Sequence, residues 1–291
     1  MAQRTTKKAS AAQPAADLPP PPEGLTKEET RSVEKRRRLR AAVVYEIIRV
    51  EGEGELARTK GALWWSALGA GLSIGFSVLA QGLLKTYLPS SPGAWIVEAL
   101  GYSVGFLIVI LSRQQLFTEN TLTAVLPVIA RRQWDWIWVM LRLWGIVLAG
   151  NLAGCFLFAA FLAFSGALSP EIASAVHAVG AKLMANSASE MFVKGIVAGW
   201  LIAALVWMLP SAEGTEIFVI TLITYLIALG GFTHVVAGSA EALYLWLTGA
   251  ESLARVVFVF FLPTLAGNVF GGTLMFAVLS YAQVREEIDE P

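Results

Sequence analysis

The chain has 291 residues, 56% of them hydrophobic and only 15% charged. A soluble domain carries about 25% charged residues, so this composition, with a mean hydropathy of +0.61, excludes an ordinary soluble globular protein. The formal net charge is zero, yet 13 of the 22 Lys and Arg residues lie before Gly61, which leaves the rest of the chain strongly apolar.

Residues 1–25 form a Pro- and Ala-rich tail whose composition reads as disordered. The first 60 residues hold no apolar stretch of the kind a cleavable signal needs. Thr26-Lys27-Glu28-Glu29 fits a capping box, and residues 26–58 read as a charged amphipathic segment, helical from Lys27 to about Val50. Val33, Val43, Val44, Ile47 and Ile48 give it apolar positions, and Lys35 to Arg40 a basic run. Such a helix is expected to lie against anionic lipid headgroups on the cytoplasmic side; a plug at the cytoplasmic mouth is the sharper alternative. The basic run is short and adjoins a membrane span, which argues against a nucleic-acid partner.

Residues 59–283 read as a six-span body, because about 20 apolar residues cross a ~30 Å hydrocarbon core. The expected spans are residues 61–84, 94–130, 136–164, 190–209, 215–247 and 253–282. Trp64, Trp65, Trp95, Trp134, Trp136, Trp138 and Trp246 fall near span ends, where amphipathic indoles settle. The basic N-terminal region predicts a cytoplasmic N-terminus by the positive-inside rule. Six crossings return the C-terminal tail, residues 284–291, to the same side, and a cell (inner) membrane is the expected home.

Spans two and five are too long: residues 94–130 as one helix would measure about 55 Å. Each is interrupted by polar residues, from Arg113 to Asn120 in the second and from Gly230 to His234 in the fifth. Irregular backbone at membrane depth is tolerated where protein buries it or where it lines a water-filled cavity. Phe117-Thr118 recurs as Phe232-Thr233, displaced by 115, and the Gly150-Asn151-x-x-Gly154 motif recurs as Gly267-Asn268-x-x-Gly271, displaced by 117. Two matches in one order predict two homologous three-span halves. Three is odd, so the halves enter the membrane in opposite directions. That predicts an all-α integral membrane protein of inverted repeats with broken second and fifth helices.

His234 stands in the second break, and an ionisable group at that depth is a functional candidate by default. It could donate to a small anion or pass a proton. Thr118 and Thr233 place hydroxyls at the breaks, and Thr118 could reach His234 or a backbone carbonyl. Leu116, Phe117, Tyr102 and Phe106 are candidates for apolar constrictions. Arg113 could raise the potential near the path, or pair with Glu119, Glu98 or Glu241. The Gly-Asn motifs read as close helix contacts, with Asn151 and Asn268 bonding between helices. Cys155 stands alone as a small core residue. No metal-ligand cluster, nucleophile or carboxylate pair suggests an enzyme or a cofactor.

Leu116-Phe117-Thr118, Gly231-Phe232-Thr233-His234 and the paired Gly-Asn-x-x-Gly motifs together resemble the formate/nitrite transporter family over about residues 60–283. The resemblance implies an aquaporin-like fold, a homopentamer with one pore per subunit, and passage of small monovalent anions such as formate, nitrite or hydrosulfide, possibly with a proton. It implies that His234 is the central pore histidine and Thr118 the threonine of the loop breaking the second helix, with Leu116 at that loop's constriction. It places Tyr102, Phe106 and Ile227 at the two constrictions and Lys182 at the outer mouth. Gln115 stands where the family carries an acid, Thr233 where it often carries Glu, and Gly199 and Gly238 align with expected Asn positions; these departures bear on substrate. The alternative is an aquaporin-like pore for neutral solutes, against which the intramembrane histidine and the absence of an Asn-Pro-Ala motif weigh.

Overall fold

The structure is a computed structural model that describes residues 26, 28–29 and 38–289. The chain divides into two units, residues 1–39 and 40–291. In the first, the capping box is formed: the Glu29 backbone N–H donates to Thr26 Oγ1, and the Thr26 backbone N–H donates to Glu29 Oε2 at 2.8 Å.

In the second unit the elements, in chain order, are α1 (Ala41–Ala57), α2 (Lys60–Tyr87), α3 (Ala94–Leu111), α4 (Asn120–Thr123), α5 (Val125–Arg131), α6 (Trp134–Phe164), α7 (Pro170–Met184), α8 (Ala188–Met208), α9 (Glu216–Gly230), α10 (Val235–Leu247) and α11 (Leu253–Ile288). Helices α2, α3, α6, α8 and α11 are each long and apolar enough to cross a bilayer, and α9 with α10 forms a sixth span bent by 51° at residues 231–234. The second span is also broken: α3 ends at Leu111, residues 112–119 leave helical geometry, and α4 and α5 complete it.

Two tight helix pairs hold this body together. Helix α2 packs on α6, and α8 packs on α11. Both contacts run through the Gly-Asn motifs. A side chain on Gly154 would collide with the Leu68 carbonyl of α2, and one on Gly271 with the Ile196 carbonyl of α8. Small residues let backbones touch and gain dispersion in a solvent that supplies no hydrophobic drive between helices. The first and third helices of each half therefore pair alike. Exposed apolar side chains such as Phe76, Phe161, Phe218, Leu222, Phe258 and Leu274 cover the outer surface.

Three expectations are corrected. Of the helix expected from Lys27 to about Val50, Glu28, Glu29 and residues 41–50 are helical, the last within a helix that runs on to Ala57, but Arg38, Leu39 and Arg40 are non-helical and Arg40 is extended (φ −69°, ψ 150°). Like charges one turn apart oppose a helix, which fits an end at this basic run; residues 27 and 30–37 of the expected helix lie outside the described residues. Nor does α1 rest its apolar face on lipid. Val44, Tyr45, Ile48 and Leu56 are buried against protein, notably α5 and the end of α11. Arg131 Nη2 reaches Glu53 Oε1 at 2.8 Å, and Arg49 holds the Glu46 carboxyl below its ordinary range. Finally, the loop between spans three and four contains the 15-residue α7, capped by Ser169 Oγ, which accepts from Ile172 N–H. The Ser169-Pro170 start and the apolar Val176, Val179 and Met184 were its signal.

Helix α11 carries two π-helical stretches, Val256–Phe261 and Phe270–Ala277. It runs on past the buried Val284, into the segment read as a C-terminal tail.

Candidate functional site

The two breaks are held by the two asparagines, in one and the same way. Asn151 Oδ1 accepts from the Phe117 backbone N–H at 2.9 Å, while its Nδ2 donates to the Gln115 carbonyl at 2.8 Å and the Ala67 carbonyl at 2.9 Å. Asn268 Oδ1 accepts from the Val235 N–H at 2.8 Å, while its Nδ2 donates to the Thr233 and Gly195 carbonyls, each at 2.9 Å. Each amide thus ties one irregular loop to the first helix of its own half. The backbone groups freed by the breaks find partners here, as an apolar interior demands. The expected contact between helices is present, but most of the bonding goes to the loops.

The register of these clamps corrects one reading of the repeat. Gln115 and Phe117 take the parts of Thr233 and Val235, a displacement of 118, close to the 117 that separates the asparagines. By this register Leu116 corresponds to His234. The Phe117-Thr118 and Phe232-Thr233 pairs, displaced by 115, are not equivalent positions.

His234 opens α10 as its N-cap, its Nδ1 accepting from the Ala237 N–H at 3.1 Å. An acceptor at Nδ1 assigns the proton of the neutral ring to Nε2. Nε2 lies 2.7 Å from Thr118 Oγ1, so the histidine of one break touches the threonine of the other. Both residues are buried. Phe106 presents its ring edge-on to the imidazole, centroids 5.1 Å apart, and Tyr102 follows at 5.1 Å from Phe106.

A cavity of about 320 Å³ reaches this point. His234, Tyr102, Ile227, Gly231 and Lys182 line it, together with Glu98, Lys194, Gly238 and Glu241. Lys182 Nζ sits 5.8 Å from the centre of the Trp95 ring. The cavity wall therefore carries two ammonium and two carboxyl groups. Sequence reading named Glu98 and Glu241 only as partners open to Arg113, and nothing in the spacing of Glu98, Lys182, Lys194 and Glu241 placed them around one space.

Other candidates lie elsewhere. Phe117 packs edge-on against Trp144, centroids 5.6 Å apart. Leu116 is fully buried in the first break. Thr233 Oγ1 donates to the Met191 carbonyl at 2.7 Å and so anchors its break. Gly199 is off the cavity wall, pressed on the Asn268 backbone where no larger side chain fits, whereas Gly238 lines the cavity and a Cβ there would lie 2.7 Å from the Phe260 ring. Cys155 Sγ is buried beside the Val236 and Gly71 carbonyls.

Arg113 takes none of its expected partners. It is largely exposed, adopts φ +53°, and pairs with Glu51 of α1 at 3.2 Å. An exposed ion pair contributes about 0–1 kcal/mol. Arg113→Gln is therefore expected to leave stability within about 1 kcal/mol of the unsubstituted protein, measured by thermal unfolding in detergent.

Comparison with known proteins gives a consistent result. The family model described as formate/nitrite transporter matches residues 42–282. The chain is 47% identical over 249 residues to the inner membrane protein YfdC of Escherichia coli (strain K12), covering 86% of this chain and 80% of that protein. It is 26% identical over 237 residues to the nitrite transporter NirC of Salmonella typhimurium, covering 78% of this chain and 86% of that one. Among solved structures, a pentameric formate channel with formate bound superposes with a TM-score of 0.65 at 20% identity, over 79% of this chain and all of that chain.

Proposed function

The chain belongs to the formate/nitrite transporter family, and from that premise we propose that it passes small monovalent anions, or their weak acids, of the formate, nitrite and hydrosulfide class. It is a multi-pass membrane channel or transporter and not an enzyme. The observation that carries the finer reading is that His234 lines a cavity shared with Lys182 while its ring lies 2.7 Å from Thr118 of the other break.

In this reading Lys182 draws an anion into the outer cavity. Tyr102, Phe106 and Ile227 then bring it against apolar side chains, where an ion that loses its water is penalised heavily. His234 offsets part of that loss with its Nε2–H, and the N-terminal end of α10 adds the positive end of a helix dipole. An anion that takes up a proton crosses the apolar stretch as a neutral acid. Leu116, buried beside Thr118 in the first break, closes the inner end. A homopentamer with one pore per subunit agrees with the pentameric formate channel and with the apolar outer surface. The YfdC relative supports placement in an inner membrane. Both termini are assigned to the cytoplasm on the basic N-terminal region and six crossings.

Liposomes carrying the purified protein test this directly. Imposed gradients of formate, nitrite and hydrosulfide are expected to drive swelling and a change in lumenal pH well above protein-free vesicles. Acetate, with its added methyl group, is expected to pass more slowly. Flux confined to uncharged solutes such as glycerol would overturn the anion reading in favour of a neutral-solute pore.

A further inference from the structure

Glu241 has no assigned part in the path, yet it faces the same cavity as His234. His234, Gly238 and Glu241 occupy one stripe of α10 at helical spacing. The Glu241 side chain is more than nine-tenths buried and makes no hydrogen bond or ion pair with any described residue. Its neighbours are engaged. Glu98 accepts from Lys85 Nζ at 3.2 Å, Lys194 Nζ donates to Asn186 Oδ1, and Lys182 leans over Trp95. An intramembrane carboxyl without a partner is costly and marks a solute path or a proton relay. A bare carboxylate there would also repel the anions the cavity admits.

We infer that Glu241 is the proton-exchange group of the outer cavity, handing a proton to an entering weak-acid anion before it reaches His234. The inference rests on the anion-conducting reading above. The step balances: the carboxyl O–H bond breaks as an O–H or S–H bond forms on the anion. The neutral acid moves inward, and the remaining carboxylate recovers a proton from outer water. No electrons are exchanged. The groups that face Glu241 are Lys182 on α7, Glu98 and Tyr102 on α3, Lys194 on α8 and His234 on α10 itself. On the other helices against α10, Lys85 of α2 is held by Glu98, Cys155 of α6 turns to the Val236 carbonyl, and Arg255 of α11 pairs with Glu251.

The test is formate-driven proton movement into liposomes, recorded across a series of outer pH values for wild type, Glu241→Gln and Glu241→Asp. Glu241→Gln keeps the shape but carries no proton, and is expected to lower the flux by about tenfold or more and to flatten its rise as outer pH falls. Glu241→Asp keeps the acid and is expected to retain that rise. Size-exclusion profiles matching wild type establish that both variants assemble. Wild-type flux with Glu241→Gln unchanged in size and pH dependence would overturn this role alone. So would equal loss in both assembled variants, which marks a packing effect. Wild-type vesicles that pass none of the anions would overturn the conducting reading, and this role with it.

Discussion

Vesicles carrying His234→Ala are expected to pass formate about 10- to 100-fold more slowly than wild type, because a hydrogen bond to a charged group contributes about 1.5–3 kcal/mol and each 1.4 kcal/mol is a tenfold change. Two bonds meet on this ring. The Nδ1 acceptor caps α10 through Ala237, and the Nε2 donor faces Thr118. Alanine removes both. His234→Asn separates them, since asparagine is a strong N-cap and its amide keeps a donor. That variant is expected to unfold close to wild type and to retain flux within about tenfold of it. Equal flux in wild type, His234→Ala and His234→Asn would remove the imidazole from the mechanism. A collapse of flux in His234→Ala with an aggregated size-exclusion profile would assign the residue to folding.

The second large effect is on stability. Asn268→Ala leaves the buried Val235 N–H and Thr233 carbonyl without their partner, while the Gly195 carbonyl, in mid-α8, loses only its second bond. Each unpaired buried group costs about 1–3 kcal/mol, so a total of about 3–5 kcal/mol is expected after partial relaxation. That is a fall on the order of 10 °C in the apparent melting point in detergent. Asn151→Ala is expected to match it, because its three bonds are the same in kind and length. Asn268→Asp tests the geometry. It keeps the acceptor for Val235 but turns carboxylate oxygen toward two carbonyls, so it is expected to be no more stable than Asn268→Ala. A melting point unchanged by either alanine substitution would show that the loops hold their course without the clamps.

Much of this architecture could be read before any coordinates. Span count, both breaks and the inverted halves follow from hydropathy, from polar residues at impossible depth, and from a motif repeated at a fixed interval. Those are signals that a bilayer imposes on any chain that crosses it. What could not be read was contact. Arg113 looked like a charge near the path, but a left-handed backbone turns it out toward Glu51 on α1, 62 residues earlier in the chain. Phe117 sat in the most suggestive motif, yet it packs on Trp144. Glu98, Lys182, Lys194 and Glu241 lie on four different helices, and periodicity within one helix says nothing of what faces it from another. The Phe-Thr repeat failed for a related reason: a two-residue match has no register of its own, whereas the asparagine bonds define one.

That register has a consequence for the symmetry of the machine. Two identical halves laid antiparallel would build a conduit that looks the same from either face of the membrane. Here the scaffold keeps the duplicate plan down to matched amide clamps, while the pair of residues at its seam is unlike, Leu116 from one half and His234 from the other. On the path proposed above, an oily side chain from one half and an imidazole from the other would give a traveller two different landscapes, depending on which compartment it leaves.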